Sequence, residues 1–492
     1  SYRTILYTLL KFRWLTVAVC IGMLVLAVQG LKLIPNLFFP PSDRDYFKVE
    51  LELPVGTRLQ TTEALVKDME EYFQTQLQVT DERETGVTQW VSYIGNGGPR
   101  FLLTHTPEST SSNYALMIVS VTSYQIIDDV MADIEEYALA RHPDLLLKQR
   151  KIENGAPIAN PVEFRIAGSD TAEVMKIVAQ LKEKMRETQG LKSVSDDWGL
   201  PIKKLQIDIN QTRARRAGVS SKDIATSLQT GLSGLELTQY REGDDIIPVT
   251  LRSIAADRQD ISKLEAMVVY SQSSGSSVPL KQVADIKVVW ENAQIFRRDR
   301  LKSVVVGAQV DGITASEGFA AITPWLDEQK QQWPLGYGYE LGGEAESSGK
   351  ANQSIADKMP IAVLIVVILL IGQFNSIRKS AMVLATIPLG FIGVVAGLLI
   401  GQSFFGFMTL LGVISLAGIV INNAIVLLER IKIELDDLPD SPIEAIVNAA
   451  QARMRPILLT TATTVLGLVP LYLGGGEMWE PMALSIMGGL LF

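Results

Sequence analysis

Cysteine and histidine are almost missing from this 492-residue chain, which has one cysteine, Cys20, and two histidines, His105 and His142. A lone cysteine in an apolar stretch excludes an intrachain disulfide and leaves the redox compartment open. The histidines stand far apart with no Cys or carboxylate companions at ligand spacing, so a zinc or iron centre is not expected. No strand-like segment leads through G-x-G-x-x-G into a helix. Gly95-Asn96-Gly97-Gly98 follows a strand, but Pro99 and Arg100 then lead into apolar Phe101-Leu102-Leu103, which removes the dinucleotide reading. Long basic runs are absent and the net charge is −9, which argues against nucleic acid as a partner. No serine or histidine has the companions of a nucleophilic site. The carboxylate pairs Asp196-Asp197 and Asp244-Asp245 sit in turn-like polar stretches, where solvated loop is the better reading. The expectation is a protein that is not an enzyme and holds no cofactor.

What is present is apolar sequence, at 47% hydrophobic against 20% charged residues. That mixture fits membrane spans joined to a large aqueous domain. Residues 14–33 are apolar over about one bilayer thickness, at ~20 residues per span. A cleaved signal peptide also starts basic and runs apolar, but here the run is long and Ile34-Pro35-Asn36 follows it instead of a small-residue cleavage site. More than three hundred residues later come apolar stretches at 361–374, 381–400, 408–428 and 456–473. A sixth begins near Pro481 and stops at Phe492, reading as a span cut short. Positive charge orients them: Arg3, Lys11 and Arg13 precede the first span, Arg378 and Lys379 follow the second, and Arg430, Lys432, Arg453 and Arg455 flank the loop between the fourth and fifth. Six spans with the long segment outside the cytoplasm satisfy every alternation.

The external segment, 36–355, alternates period-2 and period-3.6 patterns. Strands are expected at 46–53, 87–94, 115–122 and 145–152, with a helix capped by Thr61 or Thr62 and another at 126–140. A second round runs through 162–209 and a later one through 302–341. Antiparallel returns and helix–strand alternation point to repeated α+β layers of the split βαβ, ferredoxin-like kind.

Within the spans, Ser415, Gly418, Asn422, Val426 and Glu429 fall on one helical stripe, which puts the pair Asn422-Asn423 at bilayer depth. Amides there must bond to neighbouring helices or water. They read either as helix–helix glue or as part of an ion pathway. Arg453, Thr460, Thr464 and Gly467 form a stripe on the next span, and Arg453 could equally snorkel to the cytoplasmic surface.

One basic-led span, a large external α+β domain and then five spans resemble the half-repeat of the resistance–nodulation–division transporters. Phe38-Phe39-Pro40-Pro41-Ser42-Asp43 and Leu53-Pro54-Val55-Gly56-Thr57 look like the start of that family's second porter region. The run from Gly418 to Val426 (GIVINNAIV) looks like its central helix motif, and Arg453-Met454-Arg455-Pro456 with Thr460-Thr461 like the start of its eleventh span. The resemblance covers essentially the whole chain and is greatest to the C-terminal half of the hydrophobe/amphiphile efflux branch. It implies a bacterial inner-membrane protein with a periplasmic domain. Residues 1–35 would hold the seventh span, 36–158 one porter subdomain, and 159–202 with 292–345 the next. Residues 203–291 would be a docking or funnel subdomain, and 346–492 the remaining spans. It further implies protons as coupling ion, a homotrimer, and as partners an N-terminal half, a periplasmic adaptor, an outer-membrane channel and membrane lipid.

Coupling residues matched to the family are Asn422, Asn423, Arg453 and Thr460. The family usually has a lysine where Asn422 stands, so a lysine–aspartate switch is not expected. Trp90, Tyr93, Gly97, Pro99, Arg100, Phe101, Leu102 and Met117 resemble an aromatic-lined pocket with its switch loop, although aromatics flanking a strand are often core. Hydrophobic or amphiphilic small molecules such as drugs, biocides and detergents are the expected substrates. Heavy-metal export is the second reading, set behind because Met69, Met117 and Met131 are scattered. A structural or secretion-assisting role is the third.

Overall fold

The computed structural model describes residues 2–155, 158–252, 267–272 and 274–492. Two compact units emerge: Ser1–Gly199 with Gln294–Phe492, and Leu200–Ala293.

The larger unit begins with α1 (Tyr2–Lys11), whose Arg3 pairs with Glu444 at 3.0 Å, and α2 (Arg13–Gly30). Then come β1 (Tyr46–Glu52), α3 (Leu59–Tyr72), β2 (Val87–Ile94), β3 (Tyr114–Val121), α4 (Ile127–Arg141) and β4 (Leu146–Lys151). Their sheet has the order β2-β3-β1-β4, every pair antiparallel, so β3 lies between β1 and β2. Alternation along β1 decides its faces: Phe47, Val49 and Leu51 point into a core with Met69, Phe73, Met117 and Val119, while Lys48, Glu50 and Glu52 point the other way. Each large apolar side chain fully buried there contributes about 1.5–3 kcal/mol. Helix α3 starts earlier than the expected threonine cap, at Arg58, because the Thr62 hydroxyl is buried and donates to the Ser112 carbonyl instead.

A second layer repeats this topology. β5 (Val162–Gly168), α5 (Thr171–Glu187) and β6 (Leu191–Asp196) precede the inserted unit; β13 (Arg297–Arg298), β14 (Leu301–Val310), α9 (Ala315–Lys330) and β15 (Gly338–Leu341) follow it. The order β15-β5-β14-β6 is again a split βαβ arrangement, with β13 folding back on β14. Asp170 caps α5, and Thr314 with Glu317 forms a capping box on α9.

The inserted unit pairs β7 (Ile202–Ile209) with β12 (Ala284–Glu291). Between them lie α6 (Gln211–Arg216), α7 (Ser221–Leu232), β8 (Leu235–Glu242), β9 (Asp245–Leu251), β10 (Val268–Tyr270), β11 (Ser277–Pro279) and α8 (Leu280–Val283). Its core gathers Ala214, Val219, Ile224, Val269, Leu280 and Val283. Part of the 203–291 segment, residues 253–266 and 273, lies outside the described residues.

After β15 the chain is helical: α10 (Gly343–Phe374), α11 (Ile377–Leu384), α12 (Ile387–Ile400), α13 (Phe407–Asp437), α14 (Pro442–Gly474) and α15 (Gly476–Leu491). Among the described residues five segments are long and apolar enough to cross a membrane: Arg13–Leu33, Gly343–Phe374, Ile377–Ile400, Phe407–Asp437 and Pro442–Gly474. The sixth expected stretch, from Pro481, lies in α15, a helix of 16 residues. It packs against α12 through bare backbone, for a Cβ on Gly393 would lie 2.3 Å from the Gly488 carbonyl.

Candidate functional site

On α13 the intramembrane stripe divides cleanly. Thr409, Gly412 and Leu416 are buried against neighbouring helices, whereas Ser415, Gly418, Asn422 and Glu429 lie on the open face. Glu429 accepts from the Gln373 side chain at 2.7 Å. Among the described residues the side chains of Asn422, Asn423 and Arg453 have no hydrogen-bond partner, and the Arg453 Nε is buried and unmatched. The Thr460 hydroxyl donates to the Ile457 carbonyl of its own helix at 2.9 Å, and Thr464 to the Thr460 carbonyl at 2.8 Å. Among the described residues no hydrogen bond joins the four coupling candidates.

The pocket candidates separate onto two faces of the first sheet. Trp90 and Met117 point to the helix side: Met117 is fully buried, and the Trp90 ring meets Phe73 edge-on at 5.7 Å. They are core, and this corrects their assignment to a single pocket, since period 2 sends Trp90 and Tyr93 to opposite faces. Tyr93 lies on the other side, beneath the loop carrying Gly97, Pro99, Arg100, Phe101 and Leu102. Gly98 sits so close over its ring that an added Cβ would be 2.9 Å away.

That loop is pinned by a residue the sequence reading set aside. His105 is 4% exposed, its ring 4.7 Å from Phe101, and its Nε2 donates to the Gly97 carbonyl at 2.9 Å. Burial holds the imidazole below its usual range, with the Gly97 hydrogen bond acting in the opposite direction.

Beside Tyr93 and Tyr114 the sheet face on this side carries a buried charge ladder. Glu50 and Arg150 pair across β1 and β4 with side chains only 11% and 14% exposed, and Lys48 is 5% exposed beside them. Burial would raise the Glu50 carboxyl, but Arg150, together with Lys48 and Lys148, holds it below the ordinary carboxylate range. Burial lowers Lys48, with Arg150 adding to the effect, and it raises Glu153 and Tyr114. Arg150 also donates to the carbonyls of Ile158 at 2.7 Å and Ala159 at 3.1 Å, tying down the crossing between the two layers. The alternation Lys48-Val49-Glu50-Leu51-Glu52 facing Lys148 and Arg150 is a sequence signal that could have found this ladder.

A third cluster sits where the layers meet the helices. Leu37 N–H donates to the Phe405 carbonyl at 3.1 Å, Phe405 N–H to Pro35 at 2.8 Å and Phe407 N–H to Phe38 at 3.2 Å. Phe38 N–H in turn donates to Glu344 Oε1 at 2.9 Å, and Glu344 N–H to the Pro161 carbonyl at 3.0 Å. Gly343 has φ +58, and a Cβ there would lie 2.5 Å from the Asn160 carbonyl, so glycine is required for this approach. Two cavities flank the cluster, of about 370 and about 480 Å³. Among the described residues no group of three or more His, Cys, Asp or Glu side chains is arranged to hold a metal ion.

A family model described as AcrB/AcrD/AcrF matches residues 1–492. The cobalt-zinc-cadmium resistance protein CzcA of Cupriavidus metallidurans is 27% identical over 348 residues, covering 68% of this chain and 32% of that protein. The nickel and cobalt resistance protein CnrA of the same organism is 25% identical over 343 residues, with the same coverage. An X-ray crystal structure of a heavy metal efflux pump (crystal form II) matches with a TM-score of 0.80 at 20% identity, covering 100% of this chain and 49% of that one. The chain thus matches about a third of the length of these curated relatives and about half of the solved chain.

Proposed function

We propose that this chain, which belongs to the AcrB/AcrD/AcrF family and so to the resistance–nodulation–division transporters, is the C-terminal half of an inner-membrane pump exporting divalent transition-metal cations. The observation that carries the substrate class is the similarity to CzcA and CnrA, whose names specify cobalt, zinc, cadmium and nickel. It overturns the expectation of drugs, biocides and detergents, and with it the multidrug reading. The charged sheet face beneath the His105 loop supports the same direction, since an ion-pair ladder is a poor surface for a hydrophobic ligand.

On this reading the two split βαβ layers are periplasmic porter subdomains and the inserted unit is a docking subdomain. Among the described residues strands β8 and β9 pair only with each other and are exposed along nearly their whole length, Leu237, Tyr240, Ile246 and Val249 included. An isolated two-stranded hairpin is marginal in water, which supports its burial against another subunit of a trimer. A periplasmic adaptor and an outer-membrane channel complete the assembly. Protons are the coupling ion. Asn422, Asn423 and Thr460 supply hydrogen bonds on the open faces of α13 and α14. Arg453 supplies a fixed positive charge, because guanidinium does not release its proton in the working range.

The test is transport by the complete protein, both halves together, in proteoliposomes under an imposed pH gradient. Cobalt, zinc, cadmium and nickel are assayed beside a hydrophobic dye. Gradient-dependent movement of at least one of these cations is expected; dye transport without any cation movement refutes the reading.

A further inference from the structure

The helix ahead of the first span divides sharply by polarity. On α1 the 3.6-residue period puts Tyr2, Ile5, Leu6, Leu9 and Leu10 on one arc and Arg3, Thr4, Tyr7, Thr8 and Lys11 on the other. Leu6 and Leu10 are half-buried, whereas Tyr2, Ile5 and Leu9 are exposed. Phe12 and Trp14, 53% and 78% exposed, continue the apolar surface toward α2. Only Phe12 separates the two helices, so α1 ends where α2 enters the membrane. No acidic residue precedes Asp43, and Arg3, Lys11 and Arg13 place this end on the cytoplasmic side. A basic amphipathic helix with aromatic residues at its junction with a span lies in the lipid interface, its apolar arc against the acyl chains.

A cavity of about 580 Å³ opens between this helix and the start of α14. Tyr7 and Lys11 line it from α1, and residues 440–444 line it from the other side. Both α1 residues belong to the polar arc, which sets the cavity at the level of lipid headgroups. Its charges are of both signs. Among the described residues Lys11 and Asp440 belong to no ion pair, whereas Glu444 is held by Arg3 at 3.0 Å. A purely anionic ligand would face Asp440 and Glu444, and a purely cationic one would face Lys11. A ligand that carries a phosphate and an ammonium a few bonds apart answers both, the phosphate at Lys11 and the ammonium at Asp440. A primary ammonium donates three hydrogen bonds to such carboxylate and hydroxyl oxygens, and a quaternary one donates none. Ile443, exposed in the same lining, offers apolar contact where the headgroup joins its chains.

We propose that this cavity seats the headgroup of a zwitterionic phospholipid of the cytoplasmic leaflet, with its phosphate on Lys11 and its primary ammonium on Asp440. Occupancy bears on α14, because the Arg3–Glu444 pair ties α1 to the helix that carries Arg453. The site does not depend on which substrate the transporter moves.

The test uses the complete transporter, stripped of lipid in detergent. It is titrated with phosphatidylethanolamine, phosphatidylcholine and phosphatidylglycerol of identical acyl chains, and bound lipid is counted by native mass spectrometry. The ethanolamine lipid should bind about fivefold more tightly than either of the others. Asp440→Asn should abolish the preference over the choline lipid and leave choline-lipid affinity unchanged. Lys11→Gln should weaken both zwitterionic lipids by about fivefold. Both residues are exposed, so the lipid-free thermal midpoint of each variant should match wild type. Equal wild-type affinity for the three lipids overturns the inference, as does tightest binding of the glycerol lipid. So does an ethanolamine preference that survives in Asp440→Asn, or phospholipid affinity that is unchanged in Lys11→Gln.

Discussion

Replacing Arg150 with methionine should be among the most damaging single changes in the first sheet layer, and its cost should depend on pH. The guanidinium is the partner of Glu50, the neighbour of Glu153 at 3.6 Å, and the donor to two carbonyls in the crossing segment. Exposures of 14% and 11% place the pair with buried rather than surface ion pairs. Removing one member leaves an uncompensated carboxylate and costs about 3–5 kcal/mol, against about 0–1 kcal/mol for a surface pair. The folded Glu50 carboxyl lies below its unfolded value, so its stabilisation is complete above that unfolded value, roughly pH 4.3, and is lost as pH falls through the folded one. In Arg150→Met the carboxyl loses the charge that held it down, and burial then raises it. The variant's deficit is therefore largest at neutral pH and shrinks on acidification as Glu50 takes up a proton. Hydrogen exchange of the β1 and β4 amides in the complete transporter reads this locally. Opening should become more frequent by about two to three and a half powers of ten at neutral pH. The double variant Glu50→Leu/Arg150→Met, an apolar pair, should recover most of the loss. Less than about a threefold change in Arg150→Met, or a deficit independent of pH, refutes the reasoning.

The His105 loop should loosen in mild acid. A buried imidazole held below its unfolded value contributes fully above roughly pH 6.5 and progressively less as pH falls toward the folded value. Exchange of residues 95–112, corrected for intrinsic rates, should rise between pH 7.5 and 5.5 in wild type but not in His105→Gln, and equal behaviour of the two proteins would remove the imidazole from the account. In the helical region Gly393→Ala must separate α12 from α15, because its Cβ would meet the Gly488 carbonyl at 2.3 Å and Phe492 Cβ at 2.7 Å. Overpacking of this kind costs about 1–3 kcal/mol, so the thermal midpoint should fall, whereas Gly349→Ala on α10, with nothing within 4 Å, should be neutral or slightly stabilising.

Much of the architecture was legible because it rests on one-dimensional periodicity. The strand expected at 87–94 is β2 to the residue, and the apolar stretches fall within helices. Boundaries moved where polarity hid a helix. The second span reads from 361 in the sequence, yet α10 begins at Gly343, because its first turns carry Glu344, Glu346, Lys350 and Asp357 and so have no apolar signature. The site was less legible. Met117 and Trp90 look the same in sequence whether they line a pocket or fill a core, and only the pairing of Trp90 with Val119 and of Ser92 with Met117 fixes their face. His105 looked isolated because its partner, the Gly97 carbonyl, belongs to the backbone and leaves no trace in residue type.

The open face of α13 shows how far one chain's sequence can carry a mechanism. Two adjacent amides at bilayer depth demand partners, since an unmatched polar group in hydrocarbon costs several kcal/mol. Among the described residues the demand is unmet for Asn422 and Asn423, while the hydroxyl of Thr460 satisfies itself on its own helix. Thr409, Gly412 and Leu416, on the opposite side of α13, are closely packed, so the helix cannot simply rotate its amides inward. Lipid would leave the asparagines unmatched, and water alone would need a passage along the helix. A polar surface laid against Ser415, Gly418 and Asn422 would supply the partners. Gly418 has nothing within 4 Å of its Cβ position and leaves room for close helix approach. The buried, unmatched Arg453 Nε makes the same demand from α14. Any surface that satisfies both must bring acceptors for a guanidinium together with partners for two amides, which is the chemistry of carboxylates rather than of another apolar helix.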